Sequence, residues 1–109
     1  MINFEQFKEM ELRTAKVLSV EDHPNADRLY VIKVDIGEEE PRTIVGGIKQ
    51  WYAAEDLVGK TVIVLANLEP ATLRGVESCG MLLAASTPER DSVVVLTTEK
   101  DLPPGCSVS

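Results

Sequence analysis

The sequence predicts an all-β fold, a small barrel with two short helices, and three observations point to it. Apolar runs at 61–66, 80–84 and 92–97 are rich in β-branched side chains and only five or six residues long, which favours strands over helix. Residues 29–36 alternate with a period of two: Tyr30, Ile32, Val34 and Ile36 share one face, and Leu29, Val31, Lys33 and Asp35 the other. Helical signals are confined to two short segments, 3–11 and 50–58. The length of 109 residues, 44% of them hydrophobic, fits a single domain spanning 1–109. Such a domain can bury ~60 to 70% of its extended-chain surface without help from a disulfide or a structural metal.

The elements follow in order. Asn3 can cap a helix over 3–11, with Gln6 completing a capping box and Phe4, Phe7 and Met10 recurring at spacing three on one face. Strand character runs through 12–20 and 29–36. Gly37 and Pro41 then bracket Glu38, Glu39 and Glu40 in a solvated hairpin that leads to a third strand at 42–45, followed by Gly46 and Gly47. The second helix, 50–58, ends where Gly59 can serve as C-terminal cap. Three apolar strands complete the chain. Three strands, a helix, two strands and a terminal strand is the order of an OB-fold, a five-stranded Greek-key barrel with a short helix between strands three and four. The N-terminal helix and the C-terminal strand are additions to it.

Composition excludes several classes. Eleven Lys and Arg against eighteen Asp and Glu give a net charge of -7, which argues against a generic polybasic surface for nucleic acid or anionic membrane. Eight of the eleven cations do fall between Arg13 and Arg74, but ten carboxylates lie there too. Recognition of a polyanion would therefore rest on a few placed contacts. The longest apolar stretches, 62–66 and 81–85, are far below the ~20 residues of a membrane-spanning helix, so no membrane role is expected. Cys79 and Cys106 have no CxxC partner, and Met1 leads straight into a polar, capped segment rather than a signal peptide. Reduced thiols and a cytoplasmic location are the expectations; a start at Met1 favours a complete gene product, though a piece of a longer protein could begin the same way. His23 is the only histidine and has no Cys or His neighbour to complete a ligand set, so neither metal nor cofactor is expected.

An OB-fold builds its ligand surface on strands two and three and on two loops, the first-to-second and the fourth-to-fifth. Both loops stand out here. The first is EDHPNADR, 21–28; the second is NLEPATLRGVESC, 67–79, long for a connection within a compact barrel. The run HPNADRLYVIKVDIG at 23–37, RTIVGGI at 42–48 and GKTVIVLANLEPATLRGVESCGMLLAA at 59–85 resembles the tRNA-binding domain family. The likeness spans 4–108. That family comprises free-standing structure-specific tRNA-binding proteins, the C-terminal extension or β-subunit of many methionyl-tRNA synthetases, and the endothelial-monocyte-activating-polypeptide II type domain.

The resemblance implies a homodimeric OB-fold that binds tRNA by shape, outside the corner of its L, without reading a particular anticodon. By residue match, Arg28 stands where members usually carry Lys, and Ser78 and Met81 flank Cys79 and Gly80 at the family's contact positions. Arg74 is a further candidate. Two positions depart from the pattern: Gly46 replaces the usual Ser or Ala, and Cys79 a common Glu or Gln. Arg28, Ser78 and Met81 would supply a cation for phosphate, a hydroxyl for the ribose and a soft apolar group for a base, which suits shape-based RNA recognition.

Each residue also has a structural reading. Arg28 could neutralise Asp22 or Asp27, Met81 could fill core at the head of an apolar strand, and Ser78 could satisfy a turn. Lys33 and Lys49 are candidate RNA contacts or ordinary solvated charge. Pro24 makes His23 a rigid loop entry rather than a base, and Trp51 and Tyr52 are expected to pack against the barrel. No nucleophile with a nearby base and no phosphate-cradling glycine loop marks an enzyme. Apolar residues on both sides of strand 92–97 suggest a two-fold interface that includes Phe4 and Phe7. The function expected is non-catalytic tRNA binding as a homodimer, alone or in trans with an aminoacyl-tRNA synthetase, methionyl first among them. The alternative is a CsaA-like secretion chaperone that binds unfolded or exported proteins.

Overall fold

The computed structural model describes all residues, 1–109. Alternation sets the barrel wall. Strand β2, Tyr30–Asp35, sends Tyr30, Ile32 and Val34 inward and leaves Lys33 exposed, as period two requires. It pairs antiparallel with β1, Leu12–Asp22, and with β3, Arg42–Gly46. Strand β4, Thr61–Leu65, lies on the other side of β1, and β7, Met81–Leu82, follows it, giving the order β3-β2-β1-β4-β7. One strand serves two neighbours because β1 is long and kinked: Leu12 to Lys16 face β4, and Lys16 to Asp22 face β2, with a register shift between Val17 and Ser19. A bulge there bends the strand and increases its twist, which lets so few strands curl into a barrel.

The core holds Val17, Ile32, Val34, Ile44, Val62 and Val64, all almost fully buried. Helix α2, Ala54–Leu57, plugs one end with Leu57, and Gly59 after it takes φ +87 while its N–H donates to the carbonyl of Val17. The helix is shorter than the expected 50–58. Ala53 offers no side-chain cap, and Trp51 and Tyr52 are drawn out of helix to pack on the core, where the Tyr52 hydroxyl accepts from Val95 N–H. Helix α1, Phe4–Lys8, has the expected capping box on Asn3 but stops three residues early.

Two further expectations are corrected. The loop 67–79 contains a hairpin, β5 (Ala71–Leu73) and β6 (Val76–Ser78). The apolar run 80–84 is divided between β7, which pairs with β4, and β8 (Ala84–Ser86), which pairs with β9 (Val93–Val95). Closure between β3 and β7 comes from the base of the β5–β6 hairpin, where Cys79 N–H donates to Thr43 O and Val45 N–H donates to Ser78 Oγ.

The C-terminal segment seals the remaining edge of β1. Thr14 Oγ1 donates to Pro103 O and accepts from Cys106 N–H, while Arg13 and Ser107 form an antiparallel bridge. Gly105, at φ +89, lies against the backbone of Ile36 and Gly37. No helix is long and apolar enough to cross a membrane.

Candidate nucleic-acid interface

The β5–β6 hairpin turns through only two residues, Arg74 and Gly75, with Leu73 and Val76 paired across the turn. Both carry positive φ, 53° and 92°, as the tight turns that match strand twist require. Glycine meets that demand without strain. Arg74 does not, because a Cβ in the left-handed region crowds its own backbone.

Loop 23–29, between β1 and β2, is fastened to this turn. His23 is buried, with Nε2 2.8 Å from Leu73 O, and Nδ1 accepts from Asn25 N–H at 2.9 Å. A ring hydrogen on Nε2 satisfies both bonds. Asn25 Nδ2 donates to Arg74 O at 3.1 Å. The two loops that flank the barrel mouth are thus hydrogen-bonded to each other, with His23 as the link, which agrees with the loop entry expected at His23 and Pro24. His23→Ala is expected to cost about 1 to 3 kcal/mol, because Leu73 O and Asn25 N–H lose a buried partner. The same variant should weaken any ligand that spans both loops; urea titration and binding measured together check this.

Arg28 and Arg74 meet in a cleft of about 380 Å³ floored by Ala26, Asp27 and Leu29. Arg28 also walls a second cleft, about 320 Å³, with Gly47, Gln50, Trp51 and Arg90. Arg28, Arg74 and Arg90 are all exposed, and none has an ion-pair partner: the chain's ion pairs use Arg13, Arg42 and Lys49. Free guanidinium groups on a concave polar surface can take phosphate oxygens bidentately.

The other expected site residues are distributed differently. Lys49 is tied to Asp22 at 3.0 Å and lies over the Tyr30 ring. Lys33 is exposed on β2, opposite Thr43, and free of carboxylates. Met81 is exposed but pairs with Leu65, and it lines neither arginine cleft. Ser78 is buried, its hydroxyl accepting from Val45 N–H and donating to Gly80 O. These bonds make Ser78 the anchor of the hairpin to β3, a role its loop position in the sequence did not reveal.

The largest concavity, about 800 Å³, lies at the base of the hairpin beside Arg42, Glu77 and Cys79. Its charges are already occupied. Arg42 holds both carboxylate oxygens of Glu38 at 2.9 Å and also donates to the carbonyls of Ala66 and Cys79. That hydrogen bonding lowers the Glu38 pKa and raises that of Arg42. Desolvation, then the bond to Glu77, raises the Cys79 thiol. With no free cation, this groove is the poorer place for phosphate. Arg90 and its contact with Trp51 were not anticipated: acidic neighbours Glu89 and Asp91 suggest local pairing, and only the fold brings Arg90 to Trp51.

A five-stranded barrel whose two mouth loops are hydrogen-bonded to each other, with unpaired arginines between them, has the architecture of an OB-fold. The model of the family described as "Putative tRNA binding domain" matches residues 12–107, and the chain belongs to that family. Among relatives, the methionine–tRNA ligase of Pyrococcus horikoshii is 50% identical over 107 residues, 98% of this chain and 14% of the enzyme. The chain thus spans about a seventh of that relative's length. A solved MetRS-related protein from Pyrococcus horikoshii superposes with a TM-score of 0.92 at 32% identity, covering 100% of this chain and 98% of the other. The chaperone CsaA of Bacillus anthracis superposes at 0.88 with 30% identity, covering 100% and 99%.

Proposed function

We propose that the protein binds tRNA through its backbone and overall shape, as a non-catalytic homodimer in the cytoplasm, alone or in trans with an aminoacyl-tRNA synthetase, methionyl first among them. The observation that carries this reading is the pair Arg28 and Arg74, unpaired cations brought to one cleft by loops that are hydrogen-bonded to each other. Lys33 and Met81, exposed on β2 and β7, and Lys49, which is tied to Asp22, are further candidate contacts. A module of this kind assists a synthetase by holding tRNA near it, so its contribution is effective concentration rather than chemistry. Val94 and Leu96 point outward from the β8–β9 ribbon and Phe4 from α1, apolar surface that a second copy would cover. Sedimentation at micromolar concentration is expected to give a dimer, and a monomer there removes that part of the reading.

The test titrates unfractionated tRNA, a DNA duplex of equal length and an unfolded peptide at several salt concentrations. Similar affinity for several tRNAs, falling with salt by a few phosphates' worth, is expected. Equal binding to the duplex, or none to tRNA at low salt, defeats the proposal. The likeness to CsaA and the exposed Leu68, Leu73 and Met81 favour a second reading, an unfolded-protein ligand. Preference for the peptide would select it.

A further inference from the structure

Only two non-glycine residues in the chain have positive φ: Arg74 at 53° and Arg90 at 59°. Both are arginines, and each lines a cleft that Arg28 also lines. Glycine or asparagine would adopt that backbone at lower cost, so the turns are poor choices for stability. Strained backbone persists where the surroundings over-determine it and where the side chain it aims is used. The turn bearing Arg90 is over-determined: Thr87 N–H donates to Ser92 O, Ser92 N–H to Thr87 Oγ1, and Arg90 N–H to Thr87 O.

The aimed side chain comes to rest on an aromatic face. The Arg90 guanidinium carbon lies 5.4 Å from the Trp51 ring centroid, and no carboxylate pairs with it. A guanidinium held over an aromatic face by a cation–π contact keeps N–H donors free for an anion. Arg28 stands in the same cleft, alongside the polar side chain of Gln50 and the open backbone of Gly47. Two free guanidinium groups around one polar cavity form a site for an anion with several oxygens.

We infer that Arg90, seated on Trp51, is a third arm of the interface, and that the cleft it shares with Arg28 holds a backbone phosphate of the bound RNA. This rests on the RNA-binding reading above and lengthens its footprint, which then runs from Arg74 through Arg28 to Arg90. The cation–π contact with Trp51 keeps the Arg90 side chain at that cleft. A lysine, with a flexible point charge and no flat face, would hold the phosphate less firmly.

Arg90→Gly is the discriminating variant, since glycine suits the positive φ and the fold is retained. Its tRNA affinity is expected to fall roughly three- to tenfold, with the salt slope reduced by about one phosphate contact. Arg90→Lys should fall between it and the unmodified protein. Trp51 is the only tryptophan, so its emission reports the cleft directly and should change on adding tRNA. Wild-type affinity and slope in Arg90→Gly, alongside weakened binding in Arg74→Gly, overturn the third arm and leave the RNA reading standing. Equal losses for tRNA and for an unfolded peptide overturn it as well. Absence of tRNA binding by the unmodified protein overturns both.

Discussion

Arg28→Glu combined with Arg74→Glu is expected to lower tRNA affinity by roughly a hundredfold at moderate salt, since two phosphate-facing cations become anions. The fold should not notice. Both side chains are exposed, neither belongs to an ion pair, and glutamate at position 74 bears the same left-handed backbone cost as arginine. Filter binding checks the affinity and a thermal melt checks the fold. A loss below about threefold with an unchanged melt would mean that these arginines face away from the RNA. A large drop in melting temperature would instead make them structural.

Gly105→Ala carries the largest expected effect on stability. A Cβ there would lie 2.8 Å from Ile36 O and 3.2 Å from the Gly37 Cα, and the backbone stands at φ +89. Those neighbours are backbone, so relief requires the C-terminal segment to leave β1, and the expected cost is about 2 to 4 kcal/mol. Gly59→Ala is the control: its φ is +87, but nothing lies within 4 Å of the added carbon. That variant should lose only the backbone part, about 1 to 2 kcal/mol. Urea midpoints of the two proteins, compared directly, separate crowding from conformation. Equal losses would refute the close approach of the tail to Ile36.

The barrel was legible because its signals are local. Alternation in β2, the capping box on Asn3 and the glycine after α2 each act within a few residues, and each appears as expected. The packing of Trp51 and Tyr52 against the barrel was expected and is found, but the helix at 50–58 was overextended because that contact draws both residues out of it. The two ligand loops could be named from their place in the strand order. Their coupling could not, since it depends on His23 reaching Leu73 across fifty residues. The same limit applies to Ser78 and Arg90: the bond of the Ser78 hydroxyl to Val45 and the contact of Arg90 with Trp51 both join residues far apart in the chain.

The tail that seals β1 has a kinetic consequence. Thr14 finds its partners Pro103 and Cys106 across 89 and 92 residues of chain, so the first strand of the barrel is completed by residues synthesised long after it. Contacts of such separation form late, because loop closure costs entropy before any bond repays it. At ordinary rates of synthesis, roughly 5 to 20 seconds elapse between the emergence of β1 and that of its final partner. Once β4 has paired with Leu12 to Lys16, the other side of Leu12 to Thr14 is an open sheet edge until the tail arrives. Docking of the C-terminal segment is thus the step that closes this edge to other strands.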